Sequence, residues 1–261
     1  MKSGTKSVLY GAHCLLIHPF FVALAWIKLF GFSWDPRVWI AFLVHDLGYW
    51  GKPNMDGKEG ETHPEFGAKI MHLFDGIEII KKEELFPSDQ RLKELQEDGW
   101  IVINAGNNAV TFEKMERSTK WQDFTQYHSR HTAKNNNAKP SKLCFADKMA
   151  FFITPRIIYI PMATLTGEIL EYMRNSRTYK HMPTDWKPNL IEKLIWHERA
   201  TNHTREWVKE HIDGRTDSWT ERNRNTIGDP LELIREDTFS NEEINEMTGR
   251  MIRGIYATKQ Q

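Results

Sequence analysis

The chain is poor in cysteine, with Cys14 and Cys144 alone among its 261 residues. Two thiols make neither a disulfide framework nor a thiolate metal cage, and they suit a reducing compartment, so a cytoplasmic protein is expected. The chain also lacks an excess of either charge. Lys plus Arg number 35 and Asp plus Glu number 35, which removes the general electrostatic reason for binding a nucleic-acid polymer. No uninterrupted apolar run reaches the ~20 residues that a bilayer crossing needs. The nearest, "LLIHPFFVALAWIKLF", is broken by His18, Pro19 and Lys28 and reads as a buried helix rather than a membrane span. No small-residue cleavage site follows it, which disfavours a signal peptide. Internal repeats, low-complexity tracts and long flexible linkers are missing too. The economical organisation is one helical domain over residues 1–183, with residues 184–261 as a C-terminal helical extension packed on it.

Helical periodicity is what the chain has most of. Apolar residues recur at helical spacing over Leu9–Phe30 and again over Val38–Leu47, with "GFSWDP" as a turn and Pro36 suited to a first helical turn. The Gly- and Pro-rich "GKPNMDGKEGE" marks a loop, and "HPEFGAKIMHLF" resumes the helical period with Pro64 near its start. A charged helical piece is expected around Lys81 to Glu97. In "WIVINAGNNAVTF", β-branched residues flank Gly and Asn, which accept the positive φ of a tight turn, so a small hairpin is expected. "KLCFADKMAFFI" and "TLTGEILEYMRN" read as helices joined by a bend at "TPRIIYIP", and "DWKPNLIEKLIWHERATNHTREWVKEHI" as a long helix. Ser240 with Glu243 has the form of a capping box. The expected fold is mostly α, with a small β-hairpin insertion.

Of the 11 histidines, four stand with two aspartates in or beside apolar helical segments: His13, His45, Asp46, His63, His128 and Asp147. Buried polar groups of this kind cost several kcal/mol unless something satisfies them. Imidazole and carboxylate together suit first-row divalent metals, and a carboxylate can bridge two ions. Six donors exceed what one tetrahedral ion takes, which points to one octahedral ion or two adjacent ones. His18 rivals His13; placed five residues further along the same expected helix, it would face elsewhere. His131 rivals His128 from one turn away. His72, His181, His197, His203 and His211 read as packing or solvated residues.

This ordered set resembles the HD superfamily of metal-dependent phosphohydrolases, defined by a first His, an adjacent His-Asp pair and a distant Asp. His13 in "GAHCLLIHP", His45-Asp46 in "FLVHDLGYWG" and Asp147 in "CFADKMA" match, over about His13 to Ala150. "HPEFGAKIM" and "YHSRH" resemble the dinuclear branches, in which two further histidines, here His63 and His128, hold a second ion; in a mononuclear site the same pair would contact a substrate phosphate. The resemblance implies an HD-domain helical bundle and a divalent metal cofactor, one or two ions of Mn, Fe, Co, Ni, Zn or Mg. It further implies metal-activated hydrolysis of a nucleotide phosphoester or phosphoanhydride, whether mono-, tri- or cyclic. Phosphate oxygens need cations, and Arg130, Lys142, Lys148 and Lys52 are the candidates. Glu65 or Glu61 would take a proton from water beside Asp46. His131 and Trp50 are further substrate contacts, Trp50 by stacking on a base. Two alternatives stay open: a dinuclear-iron oxygenase that resembles myo-inositol oxygenase, and a nucleotide-sensing module without turnover. The expected partner is a small nucleotide, with self-association open and no membrane.

Overall fold

The computed structural model describes residues 1–85, 87–105, 109–176 and 178–212; the Ser240 capping box and the rest of the extension beyond 212 lie outside them. Among the described residues the fold is mostly α, with eleven α-helices and one small antiparallel sheet.

The single helix expected over Leu9–Phe30 is two, α1 (Ser3–Tyr10) and α2 (His18–Phe30). The interruption is set by tertiary packing. At Gly11 a Cβ would come 2.0 Å from the Glu168 carboxylate and 2.6 Å from Ser7 Cα, while Pro19, which has no N–H to satisfy, fits the first turn of α2. Helix α3 (Pro36–Val44) starts as expected, with the Asp35 carboxylate accepting from the Arg37 N–H at 3.0 Å and Pro36 in the first turn. A 3₁₀ turn over Leu47–Tyr49 and a loop lead to α4 (Pro64–Met71).

The insertion that follows holds β1 (Ile77–Leu85), α5 (Asp89–Glu97), β2 (Ile101–Ala105) and β3 (Ala109–Arg117), with strand order β1-β3-β2. β2 and β3 are the expected hairpin. The charged helix expected from Lys81 begins only at Asp89, because residues 81–85 pair with β3 instead. Lys81 stands opposite Glu113 in the register and its Nζ lies 2.8 Å from that carboxylate, so the charges that read as helical serve as cross-strand pairs on an edge strand. The neck of the insertion is closed by the Ser118 N–H on the Gly76 carbonyl at 2.8 Å. There the buried Asp75 carboxylate accepts from the N–H groups of Trp121 and Gln122, at 2.7 and 3.2 Å, at the start of α6 (Lys120–Gln126).

Helix α7 (Arg130–Asn135) leads to α8 (Lys142–Ile153), α9 (Arg156–Thr166), α10 (Glu168–Asn175) and α11 (Leu190–His211). The bend expected at "TPRIIYIP" is helical from Arg156, with Pro161 accommodated inside α9 at the cost of one backbone hydrogen bond. Gly167, at φ 87°, ends α9 and opens α10. A capping box between Asn189 and Glu192 starts α11.

The core forms where α2, α3, α6 and α8 meet, with Val22, Trp26, Phe42, Trp121, Leu143 and Ala150 buried together. Removing this apolar surface from water is the main stabilising contribution, at ~25 cal/mol per Å². α8 runs through the middle, packed by α2 and by α11, and carries one buried acid, Asp147. Among the described residues no single helix is long and apolar enough to cross a membrane.

Candidate metal centre

Helix α3 ends at His45, and the turn that follows carries Asp46; both are buried. Helix α4 brings His63 against them because two glycines clear its path. A Cβ on Gly48 would lie 1.9 Å from the His63 carbonyl oxygen, and one on Gly67 would lie 2.6 Å from that of Val44. His128, after α6, comes within 3.1 Å of His63, Nε2 to Nε2, across 65 residues of chain; the closed neck of the insertion makes that separation irrelevant. Asp147 enters from α8, and His18 from the first residue of α2.

These side chains form two groups, each with ligand atoms within 4.8 Å of one another: His18, His45, Asp46 and Asp147, and Asp46, His63 and His128. Asp46 divides itself between them. Its Oδ2 lies 3.2 Å from His18 Nε2 and 3.1 Å from His45 Nε2, and its Oδ1 lies 3.6 Å from His63 Nε2 and 3.4 Å from His128 Nε2. Asp147 Oδ1 is 3.0 Å from His18 Nε2. Three of the rings are anchored alike, each Nδ1–H donating to the carbonyl three residues back: His45 to Phe42 at 3.0 Å, His63 to Gly60 at 2.9 Å and His128 to Thr125 at 2.5 Å. That anchor fixes the tautomer and leaves Nε2 with its lone pair turned inward.

The electrostatics suit a cation. Burial, aided by the neighbouring His128 for His63, holds His45 below and His63 well below the usual imidazole pKa, so both stay neutral. Burial works against ionising Asp46 and Asp147, yet the imidazoles around Asp46, and Lys148 and His18 beside Asp147, outweigh it and keep both well below the carboxylate range. Asp46 Oδ2 is buried without the geometry of a hydrogen bond to any partner among the described residues, although two imidazole nitrogens are within reach. An orphaned carboxylate oxygen among imidazole nitrogens fits a divalent ion and is costly without one.

One placement differs from expectation. His18, not His13, stands with the doublet and Asp147. Spacing along one helix had turned His18 away from His13, but the chain leaves helix at Gly11, so that rotation does not apply. A signal was available: His18 and His63 each directly precede a proline in the first turn of a helix. His13 sits beside the cluster, its Nδ1 2.9 Å from Ser7 Oγ and 3.3 Å from the Glu168 carboxylate. Glu168, fully buried, also accepts from the Ala12 N–H and the Thr166 hydroxyl; sequence reasoning missed it, because Ala12 and His13 lie some 156 residues away.

A cleft of about 360 Å³ opens over the cluster. Arg130, His131, Lys134 and Lys148 line it, together with Asp56 and Glu61. Lys148 Nζ donates to Asp147 Oδ2 at 2.8 Å. Burial pushes the Glu61 carboxyl up, against the pull of His131. Four expected contacts lie elsewhere. Glu65 is exposed on α4, two residues and so about 200° round the helix from His63. Lys142 lies about 140° round α8 from Asp147, its ammonium 5.2 Å from the Phe30 ring. Lys52 donates to the Thr62 hydroxyl. Trp50 is 59% exposed; the preceding turn sends Tyr49 inward instead, stacked on His63 at 3.9 Å.

No family model, curated protein or solved structure matches the chain. Fold and site define the class by themselves: a helical protein with a small antiparallel sheet and a buried His/Asp cluster able to hold metal.

Proposed function

We propose that the chain is a metal-dependent phosphohydrolase that cleaves a phosphoester or phosphoanhydride of a nucleotide, in the manner of the dinuclear HD-type enzymes it resembles. The observation that carries the reading is the division of Asp46, one oxygen toward each ligand group, on the floor of a cleft walled by Arg130, His131, Lys134 and Lys148. His18, His45, Asp46 and Asp147 would hold one ion, and His63 and His128 with Asp46 a second. Ions there would supply the charge that makes water acidic near neutral pH and offsets charge on the phosphoryl oxygens.

The chain's own groups do the rest. Arg130 and Lys148 bind the phosphate oxygens, the guanidinium by two parallel N–H donors. Glu61, whose carboxyl pKa burial raises, accepts the proton of the attacking water. His131 and Lys134 extend the positive wall outward for a further phosphate or the leaving group. The iron oxygenase alternative has the same ligands, but four cationic or imidazole groups on the wall favour a phosphoester. A phosphate-release assay over nucleoside mono-, tri- and cyclic nucleotides tests the reading. Release that needs metal and is abolished by Asp46→Ala supports it; oxygen uptake without phosphate release, or neither, overturns it.

A further inference from the structure

Arg130 has no carboxylate partner among the described residues, yet its guanidinium is held. Its Cζ lies 4.9 Å from the centre of the Trp207 ring, near the end of α11. Trp207 is 3% exposed. Its ring stacks with Phe145 at 5.3 Å and 17° and with His211 at 5.0 Å and 15°. Phe145 precedes Asp147 by two residues on α8. A helix from far along the chain thus reaches the cleft wall through an aromatic column anchored next to the metal cluster.

Two features indicate that the face of the indole is what this position uses. The indole N–H is buried with no acceptor among the described residues, a cost that phenylalanine would not incur. What Trp offers over Phe is a stronger platform for a cation. A guanidinium steadied by a ring also keeps its N–H donors and its charge for a ligand, whereas one steadied by a carboxylate commits both.

We infer that Trp207 is a positioning residue for the phosphate subsite: it pre-orients Arg130 toward the cleft, so that α11 helps to set the affinity for the phosphate group of the substrate. The inference rests on the phosphohydrolase reading and deepens it. Pre-ordering a long side chain removes part of the entropic cost of binding.

Calorimetric titration of inorganic phosphate into the manganese-loaded full chain tests it. Arg130→Gln is expected to weaken phosphate binding about tenfold and Trp207→Leu roughly three- to tenfold, with bound manganese unchanged in both. The double variant should bind no more weakly than Arg130→Gln alone, because Trp207 acts through Arg130. Trp207→Phe, which keeps a ring, should fall between, and it serves as the test where Trp207→Leu fails to fold. Trp207 variants that bind phosphate like the unaltered chain, or losses that add in the double variant, overturn the inference. An unaltered chain that binds no phosphate overturns the phosphohydrolase reading and this inference with it; phosphate binding indifferent to Trp207 overturns this inference alone.

Discussion

Replacing Glu168 by alanine should cost the protein much of its stability while leaving its metal content intact. The carboxylate is fully buried and accepts from the Ala12 N–H at 3.2 Å, the Thr166 hydroxyl at 2.5 Å and His13 Nδ1 at 3.3 Å. A hydrogen bond to a charged group contributes about 1.5–3 kcal/mol net. His13 keeps a second partner in Ser7, 2.9 Å away, and the Thr166 hydroxyl keeps the Met162 carbonyl at 3.2 Å, so the Ala12 N–H alone is left without an acceptor. The expected loss is then about 1.5–3 kcal/mol, some of it recovered if water enters the hole. For a chain of this size that lowers the melting temperature by roughly 5 °C. Glu168→Gln should cost about half as much, since its amide oxygen still accepts while its NH₂ faces donors. Urea unfolding followed by circular dichroism measures the free energy, and metal analysis of the folded variant gives its content. A loss under about 1 kcal/mol would refute the view that Glu168 pins the α1–α2 connection. Loss of metal in a folded variant would put His13 back among the ligands.

The remaining expectations concern the cluster itself. His18→Ala should weaken divalent-metal binding by at least about tenfold, whereas His13→Ala should leave the number of bound ions unchanged; equilibrium dialysis separates the two. Burial opposes charge on His18, but the adjacent carboxylates of Asp147 and Asp46 outweigh that and push its pKa up to about 10. The metal-free protein therefore carries a protonated His18 at pH 7 and must release that proton on binding, so apparent affinity rises with pH up to about 10. Calorimetry in buffers of different ionisation heat should show close to one proton released per first ion, and no release would contradict the placement of His18. Gly48→Ala forces a Cβ into the His63 carbonyl. It should destabilise the fold by about 2–3 kcal/mol and lower the metal count by disrupting the His63 group; a variant with wild-type stability and stoichiometry would contradict the close approach.

Much of this was legible in the chain. The starts of α3 and α4 were marked by Pro36 and Pro64, "KLCFADKMAFFI" proved to be α8 from end to end, and the hairpin followed from Gly and Asn between β-branched runs. Local rules sufficed there because local chemistry decides. They failed where distant contacts decide. Gly11 breaks a good helical pattern because Glu168 occupies the space its side chain would need. The Lys- and Glu-rich residues after Ile80 became strand because β3 offers them partners. At the site, His45, Asp46, His63, His128 and Asp147 meet. His18 rather than His13 stands with them, because the helix that would have turned it away is interrupted by packing. Glu61 and Lys134 belong to the cleft and Glu65, Lys52 and Lys142 do not. That distinction is one of helix rotation, which residue type does not reveal.

The central claim is that Asp46 joins two ligand groups around shared cations, and counting metal tests it most directly. Stripped and reloaded with a divalent ion, the unaltered chain should hold two ions per molecule by elemental analysis, and a folded Asp46→Ala variant should hold at most one, weakly. A reloaded chain that takes up none, or an Asp46→Ala variant that binds as the unaltered chain does, would contradict the account.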